Sequence, residues 1–598
     1  MNDKKEISSN KPYTTAFMVL SVILLIYITF RHILSSFFTS SDIFSLIELY
    51  QIKSLKDVFN IFTKPLLADT SFQGVFLRPV AGIFFSLEYY IWGLNPFGYH
   101  LTDMLIHILT SILVFFIAMK LTGGRRSIAW ISAIVFAVHP TNRYTVLLID
   151  TREDTLSTLF LALSFLSFLK YLPSRTYRKG LLIASLFFYV LASGSKEVAI
   201  ILPFLVLVYL IIFSDEESAG VRIVRALKIV APYVLLTILI FSWRQYLLGH
   251  AARGYYGYKL NPDDIIVLKY FDYLIDPISL FKSFYFYNKQ IVYFIPLIPL
   301  LISSLLYKKI LLCGRGIKLI IIFLIAVVIL SSCAIFAYPL IEQISENAYY
   351  GKGPKPLLQF FKWLMQGREH PLINFLEITR LFLLNVFYSL LFFFTLFLVV
   401  IANYGSSGKS IFPVLYKNKL KVFLLIWILL PLCIYVAISN FVYCYLYNPL
   451  VPLSIILSVI FIEWFETPYL KPVKRLFGMG IFILSVLMCS YVIIDFNLQL
   501  KDSMRKRELF LMKILKVLPE LSNNVTINIE NYPKNFVMPN ADSIKSWLNL
   551  NSKTNYVKKV NINTGPPAFV SREALDFVMI KDDNQIKLNV ITKSLRMD

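Results

Sequence analysis

Apolar runs long enough to cross a bilayer as single helices recur from the N-terminus to about residue 496. The first run, FMVLSVILLIYITF, follows a polar, basic N-terminus and has no small-residue cleavage site behind it, so we predict an uncleaved first span. The pattern predicts about thirteen spans in all. The later runs begin near Leu101, Ile128, Thr155, Gly180, Val198, Ile229, Ile291, Lys318, Arg380, Lys421, Tyr445 and Leu476.

The composition is that of a membrane protein. Of 598 residues, 57% are hydrophobic and 16% are charged, whereas soluble domains are about half apolar and about a quarter charged. The net charge of +23 agrees with Lys and Arg gathered in cytoplasmic loops. The sequence has no zinc-finger, basic-helix or RNA-binding-sheet pattern, so we expect no nucleic acid partner. The five cysteines include no C-x-x-C pair and are expected to act as small apolar residues.

Basic clusters such as KLTGGRRS, PSRTYRKG and KPVKR fall in every second loop when the N-terminus is placed in the cytoplasm. Cytoplasmic loops show this pattern, and an odd number of spans then places the C-terminus outside. Three long loops, residues 38–99, 249–290 and 342–379, are predicted to lie outside. In the first, LIELYQIKSLKDVFNIF has apolar residues at helical spacing, which predicts a helix either on the membrane surface or packed within the loop.

The pattern changes after residue 496. VTINIE, VKKVNIN and DFVMIKDDNQIKLNVITK alternate apolar and polar residues as strands do, and KDSMRKRELFLMKILKVLPEL has helical spacing. We therefore predict two domains, a transmembrane module over residues 1–496 and a small soluble α/β domain outside the membrane over residues 497–598. The fold class is thus an all-α polytopic membrane protein with a small C-terminal α/β domain.

Ionisable residues interrupt the apolar stretch FLRPVAGIFFSLEYYIWGLNPFGYHLTDMLIH, although charge is costly at membrane depth and usually marks a function there. The predicted topology places these residues, and others like them, at the outer ends of the spans. We call this set the outer rim. Its members are Arg78, Glu88, His100, Asp103, His139, Arg143, Asp150, Arg152, Glu153, Asp154, Lys196, Glu197 and Arg244.

A rim of mixed charges above apolar helices suits a ligand with a phosphate head and a hydrocarbon tail. Arg and Lys side chains can hold phosphate, and a carboxylate can take a proton from an attacking hydroxyl. The alternative is that the charges form mutual ion pairs that hold the loop ends together. Lys196 and Glu197, adjacent in SGSKEVAIILP, are open to the same alternative as a hairpin pair.

His100, Asp103 and His107 have the spacing of residues on one face of a helix. This spacing leaves two alternatives. The three side chains bind a metal, with a divalent cation as the cofactor, or they bond to neighbouring helices.

Four segments, in order, resemble motifs of membrane glycosyltransferases of the GT-C superfamily. They are FLRPVAGIFFSLEYYIWGLNPFGYHLTDMLIHILTSILVF, VFAVHPTNRYTVLLIDTREDTLSTLF, SGSKEVAIILP and YCYLYNPLVPLSII. The likeness is to bacterial relatives of the transmembrane-and-tetratricopeptide protein O-mannosyltransferases, although this chain has no tetratricopeptide repeats after its membrane part.

The resemblance implies a GT-C-like fold and inverting transfer of a sugar from a polyprenyl-phosphate donor to a protein, glycan or lipid acceptor. The reaction would occur at the outer face of a bacterial inner membrane. The family places its catalytic base in the first outer loop, where Asp42 fits best and Asp69 is the runner-up; Asp42 has the alternative role of a helix cap. Arg78, Arg152 and Lys196, with His139 as a weaker candidate, are expected to bind the donor phosphate. The supporting residues are His100, Asp103, His107, Asp154 and Glu197.

Two other function classes remain open. A lipid-linked polysaccharide polymerase or ligase could use the same outer rim, although its motifs would be expected in one large late loop. A transporter or flippase of lipid-linked sugars should show related halves and broken helices that meet at mid-membrane, whereas here the charges lie at one rim.

Overall fold

The computed structural model describes most of the chain on either side of one long central gap. The chain divides by its contacts into two units, Met1–Asn261 with Lys419–Asp598, and Pro262–Asn418, and every described residue except Asn418 belongs to the first. The described residues are 12–40, 43–65, 76–172, 179–213, 219–248, 418–435, 443–466, 472–517, 525–532, 541–551, 557–564, 574–582 and 585–593.

Helices make up most of the described chain. The helices before the gap are α1 (Pro12–Phe30), α2 (Ile43–Leu49), α3 (Leu55–Thr63), α4 (Pro79–Trp92), α5 (Pro96–Leu121), α6 (Arg126–Ala137), α7 (Arg143–Val146), α8 (Arg152–Tyr171), α9 (Lys179–Ser195), α10 (Ile201–Phe213) and α11 (Ala219–Leu248). Those after it are α12 (Lys419–Tyr435), α13 (Leu450–Phe465), α14 (Pro472–Val517) and α15 (Ala541–Asn551).

Among these helices, four have stretches long and apolar enough to cross a membrane: Tyr13–Ser35, Pro96–Leu121, Ile223–Leu248 and Arg475–Leu515. Helices α6, α9, α10 and α13 are shorter but also apolar. Large apolar side chains on α1 and α11 are exposed, as expected where lipid surrounds a helix. These features give the chain the character of a membrane protein.

Most of the predicted spans overlap a described helix. The exceptions begin near Ile291, Lys318 and Arg380 and lie outside the described residues, as do the predicted outer loops 249–290 and 342–379. The total of about thirteen spans therefore stays a prediction.

The first outer loop differs from the sequence prediction, because its single predicted helix is two helices, α2 and α3. The chain breaks between them at Ser54, which has extended backbone angles and precedes α3. The Asp57 carboxylate accepts a hydrogen bond from the Ser54 backbone N–H at 2.8 Å, which starts a new helix. The Ser54 hydroxyl donates to the same carboxylate at 2.9 Å, and this hydrogen bond, followed by that of the Lys53 backbone N–H, holds the pKa of Asp57 below its ordinary value. Leu55 and Phe59 of α3 are exposed, so α3 alone has the apolar outer face expected at a membrane surface.

Strands β1 (Val525–Tyr532), β2 (Val557–Thr564), β3 (Ala574–Asp582) and β4 (Gln585–Lys593) form a sheet in the order β2-β1-β4-β3. β1 is parallel to β2 and to β4, and β3 is antiparallel to β4. Helix α15 packs against α2, where the rings of Phe44 and Trp547 have centroids 4.7 Å apart. Helix α14 continues across residue 496, and the predicted domain boundary there stays a prediction.

Candidate functional site

The outer-rim residues meet where the ends of several helices come together. Arg78 stands directly before α4, Arg152 begins α8, and Glu197 begins the short 3-10 turn that leads into α10. Pro79 starts α4 without leaving an N–H unpaired. Because α8 packs against α5 and α9, and α4 packs against α9, side chains from these ends converge. We call them the ion-pair cluster: Arg78, Glu88, Asp103, Arg152, Glu153, Asp154, Lys196, Glu197 and Arg244.

Arg152 is the most enclosed base of the ion-pair cluster, with 0% of its surface exposed. Its Nε and Nη2 donate to both carboxylate oxygens of Asp103, at 2.8 and 3.0 Å. Nη1 donates to Glu88, and Nη2 also donates to the carbonyl oxygen of Tyr99 at 3.0 Å. The guanidinium also lies over the ring of Phe85. All three nitrogens of Arg152 therefore have protein partners, so it bridges α4, α5 and α8.

Arg78 joins two carboxylates from different elements. It donates to Glu153 on α8 and, at 3.2 Å, to Glu197, which in turn accepts a 2.6 Å hydrogen bond from Arg244 on α11. Burial acts to raise the pKa of Glu197, but the guanidinium groups of Arg78 and Arg244 outweigh it and hold the pKa below its ordinary value. Glu197 is therefore ionised and links two arginines.

Lys196 forms the third part of the ion-pair cluster. Its ammonium donates to the Asp154 carboxylate at 2.5 Å and lies 4.6 Å from the centre of the Tyr445 ring. Lys196 is thus paired across space to α8, not to its sequence neighbour Glu197. The hairpin alternative of the sequence analysis named the wrong partner for both residues, because the chain at Lys196 is extended and points the two side chains apart.

The two histidines of α5 bond to neighbouring elements. His100 Nε2 lies 3.2 Å from the carbonyl oxygen of Phe37. His107 Nε2 lies 3.0 Å from the carbonyl oxygen of Ala137, and its Nδ1 lies 2.8 Å from the hydroxyl of Tyr447. A carbonyl only accepts, so Nε2 of His107 carries the proton and Nδ1 accepts from Tyr447. The two contacts of His107 tie the middle of α5 to α6 and to the segment before α13.

These contacts bear on the metal alternative for α5. His100, Asp103 and His107 do share the helix, but Asp103 binds Arg152 and each histidine has the separate partner just described. Across the described ranges, no three His, Cys, Asp or Glu side chains are grouped so that they could hold a metal ion. The arrangement matches the alternative in which these residues bond to neighbouring helices.

His139 differs from the other predicted phosphate-binding residues because it has no ion pair among the described residues. Its Nδ1 lies 2.8 Å from the hydroxyl of Thr141 and 3.4 Å from the Thr141 backbone N–H, which makes Nδ1 an acceptor. Burial lowers the pKa of His139 to about 3, so the ring is neutral and Nε2 carries the proton. Nε2 has no hydrogen-bond partner among the residues that the structure describes.

The segment that contains these residues has a family match. Residues 78–243 match a family model described as dolichyl-phosphate-mannose-protein mannosyltransferase. This segment is mannosyltransferase-like. It contains Arg78, the predicted residues of α5, His139 and all predicted site residues from Arg152 to Glu197. It ends one residue before Arg244.

Individual proteins resemble parts of the same chain. Mouse protein O-mannosyl-transferase TMTC1 is 32% identical over 102 residues, which are 17% of this chain and 11% of that protein. Drosophila melanogaster protein O-mannosyl-transferase Tmtc1 is 32% identical over 141 residues, or 24% of this chain and 16% of that protein. The apo oligosaccharyltransferase of Archaeoglobus fulgidus aligns in structure over 93% of this chain and 65% of that chain, with a TM-score of 0.46 and 10% identity. The predicted resemblance to GT-C glycosyltransferases is confirmed.

The predicted catalytic bases lie outside the mannosyltransferase-like segment. Asp42 and Asp69 also lie outside the described residues, and the described helix α2 begins at Ile43, so the helix-cap alternative for Asp42 stays open. The described chain ends at Ser40, two residues before Asp42. Ser40 has a φ of 134°, which is rare for a residue with a side chain and costs backbone energy.

Hydrogen bonds to other parts of the chain hold this strained segment in place. The Thr39 hydroxyl donates to the carbonyl oxygen of Leu147 at 2.7 Å, and Arg507 of α14 donates to the carbonyl oxygen of Ser40. The mannosyltransferase-like segment and α14 therefore hold the chain at Thr39 and Ser40.

The ion-pair cluster brings together most of the predicted site residues but leaves His139 apart and unpaired. The motifs did not predict which residues of the ion-pair cluster pair with one another, because Glu88, Glu153 and Arg244 were identified only as members of the outer rim. Tyr447 was missed entirely as the partner of His107. The only signal for it was its place in YCYLYNPL, one of the segments that carry the resemblance.

Proposed function

We propose that the chain is an integral-membrane glycosyltransferase that transfers a hexose from a polyprenyl-phosphate donor to a hydroxyl of a protein, glycan or lipid acceptor. The observation that carries the proposal is the coincidence of the mannosyltransferase-like segment, residues 78–243, with nearly all of the ion-pair cluster. The matched relatives are named protein O-mannosyl-transferases, which supports a protein acceptor and mannose among the candidates.

In the proposed reaction, Asp42 takes the proton of the acceptor hydroxyl as its oxygen attacks the anomeric carbon. The attack comes from the face opposite the phosphate, so the bond from that carbon to the phosphate oxygen breaks with inversion. The polyprenyl phosphate leaves with the bonding electrons. Positive groups near the departing phosphate stabilise the charge that develops on it.

The ion-pair cluster divides the predicted phosphate-binding residues by role. We propose that Arg152, whose nitrogens all have partners, positions α4, α5 and α8, while Arg78 and Lys196 remain candidates for the phosphate. To bind the phosphate, Arg78 and Lys196 would each replace a carboxylate partner with a phosphate oxygen. His139, with its unpartnered Nε2–H, would donate to the same group.

The proposal places the reaction at the extracytoplasmic face of a bacterial inner membrane, with about thirteen spans, a cytoplasmic N-terminus and residues 497–598 as an extracytoplasmic domain. This topology has its own test. A tag after Asp598 should react with an impermeant label applied from outside, and a tag within Tyr404–Ser410 should be protected. Tags that react on the same side would overturn the topology.

The transfer experiment uses membranes that contain the full chain and a radiolabelled polyprenyl-phosphate mannose. Asp42→Asn should reduce transfer about 10²–10⁴-fold, the usual contribution of a catalytic base, while protein levels stay normal because Asn caps a helix about as well as Asp. Asp57→Asn is the matched control, because Asp57 is also a first-loop acid but lies partly exposed in the first turn of α3, where it accepts hydrogen bonds from Ser54. Near-normal transfer by Asp42→Asn would make Asp69 the candidate catalytic base. Normal transfer by Asp69→Asn as well would overturn the base assignment.

A further inference from the structure

Arg143, at the start of α7, is a buried base outside the ion-pair cluster. It is 7% exposed. Its Nη2 donates to the hydroxyl of Tyr144 at 3.1 Å, and its Nε has no hydrogen-bond partner within the described part of the chain. Among the residues that the structure describes, Arg143 forms no salt bridge with any carboxylate, although Arg78, Arg152 and Arg244 all do.

Aromatic rings hold Arg143 instead. The guanidinium carbon lies 4.7 Å from the centre of the Tyr144 ring and 5.5 Å from that of the Phe496 ring on α14. Tyr144 in turn stacks on Tyr443 with 4.3 Å between ring centres. The rings of Tyr144 and Phe496 therefore contact the guanidinium, and Tyr443 supports the Tyr144 ring. Aromatic rings attract the guanidinium through its face and do not accept hydrogen bonds from the N–H groups in its plane. Most of the N–H donors of Arg143 therefore stay available.

A buried arginine without a carboxylate partner carries a desolvation free energy that the protein does not offset. Burial of a charge is costly unless an opposite charge and hydrogen-bond acceptors accompany it. Arg152 meets that requirement within the protein, through Asp103 and Glu88. Arg143 does not meet it, and its planar donors match the oxygens of a phosphate group.

The position of Arg143 favours a lipid phosphate over free phosphate as the ligand. Phe496 belongs to the apolar stretch Arg475–Leu515, which is long enough to cross a bilayer, so Arg143 lies against a membrane helix. A lipid phosphate can bring its head to this place while its tail stays in the bilayer. His139 begins the same turn, and its free Nε2 is a second donor in that turn.

We infer that Arg143, held by Tyr144 and Phe496, binds the phosphate of a lipid-linked ligand. This inference rests on the proposed function in naming that ligand as the polyprenyl-phosphate donor or product. Arg143 was counted in the outer rim by the sequence analysis but was given no role in binding. The inference therefore moves the principal phosphate contact from the ion-pair cluster to α7.

The test is direct binding of radiolabelled polyprenyl phosphate to the purified full chain in detergent micelles. Arg143→Gln should weaken the affinity at least tenfold, and Arg143→Lys should weaken it less but measurably, because a point charge replaces a planar fork. Arg125→Gln is the matched control and should bind normally, since Arg125 forms a largely exposed pair with Glu466. Wild-type affinity in Arg143→Gln would overturn the inference. If that variant does not fold, wild-type affinity in a folded Arg143→Lys would overturn it.

Competition identifies the source of the phosphate. Excess unlabelled polyprenyl phosphate should displace the label, whereas polyprenol, which lacks the phosphate, should not. Displacement by equal concentrations of inorganic phosphate would show a free-phosphate site and would overturn the lipid-linked ligand.

Sugar transfer, measured on the same preparations, separates this inference from the proposed function. Arg143-dependent binding of polyprenyl phosphate by a wild-type chain that transfers no sugar would support the inference while the proposed function fails. Normal transfer and binding by Arg143→Gln would overturn the inference while the proposed function stands.

Discussion

Arg152 and Arg143 are two buried arginines close together in the sequence, and their surroundings differ in kind. Arg152 donates to two carboxylates and a backbone carbonyl from α4 and α5. Arg143 lies between aromatic rings of α7 and α14 and, within the described ranges, has only a tyrosine hydroxyl as hydrogen-bond acceptor. A buried arginine whose charge is balanced by the protein joins helices, whereas one whose charge is not balanced remains able to bind an anion.

The same contrast applies to the ion-pair cluster as a whole. In its described contacts Lys196 is balanced by Asp154, and Arg78 and Arg244 share Glu197, with Glu153 as a second partner of Arg78. The described contacts therefore neutralise most of the bases that the motifs mark as phosphate-binding. Such a cluster holds the ends of α4, α8, α10 and α11 together, and it leaves the binding of a ligand phosphate to a base elsewhere or to an exchange of partners.

The largest expected effect is the loss of stability in Arg152→Gln. Removing one partner of a buried ion pair costs about 3–5 kcal/mol, because Asp103 and Glu88 would remain buried without a cation. The free energy of unfolding, measured by denaturant titration in detergent micelles, checks this. Arg125→Gln, the exposed control, should lose no more than about 1 kcal/mol.

A second variant sharpens the comparison. Adding Asp103→Asn to Arg152→Gln should recover part of the lost stability, because one of the two stranded carboxylates becomes neutral. A stability of Arg152→Gln equal to that of Arg125→Gln would break the contrast between balanced and unbalanced arginines.

A smaller effect is expected at Glu197, where stability should depend on pH. The pKa of Glu197 in the folded protein is lower than its ordinary value, so its stabilising contribution is present above that ordinary value and is lost as the pH falls through the folded pKa. Glu197→Gln should cost about 1–3 kcal/mol at neutral pH, since Arg78 and Arg244 lose a charged partner. The measurement is the free energy of unfolding as a function of pH. Acidification should destabilise the variant less than the wild type, and parallel pH profiles would contradict the shifted pKa.

The sequence was sufficient to predict the long apolar helices that the structure describes, because apolar runs of spanning length leave a chain few alternatives. It failed at the first outer loop, where a continuous helical pattern concealed the break at Ser54. The signal was present, since Ser54 stands three residues before Asp57, as in a helix-capping box. Apolar periodicity alone does not report such a local hydrogen bond.

The residues of the ion-pair cluster were predicted as members of the outer rim, but their pairing was not predicted. The residues of the outer rim could be identified because ionisable groups are rare in apolar segments. Their partners could not, because Arg152 meets Glu88 and Asp103 only when α4, α5 and α8 pack. The neighbours Lys196 and Glu197 were a plausible pair by sequence, yet they bind Asp154 and two arginines instead. Spacing along one helix constrains contacts, whereas contacts between helices depend on the tertiary fold.

One measurement tests the contrast between the two arginines most directly: the gain in unfolding free energy when polyprenyl phosphate is added to the wild type, Arg143→Gln and Arg152→Gln. A ligand at 100 times its dissociation constant stabilises the protein that binds it by about 2.7 kcal/mol. We expect Arg143→Gln to keep its ligand-free stability and lose most of that gain, and Arg152→Gln, studied where it remains folded, to lose ligand-free stability and keep the gain. A full gain in Arg143→Gln, or undiminished ligand-free stability in Arg152→Gln, would contradict the account.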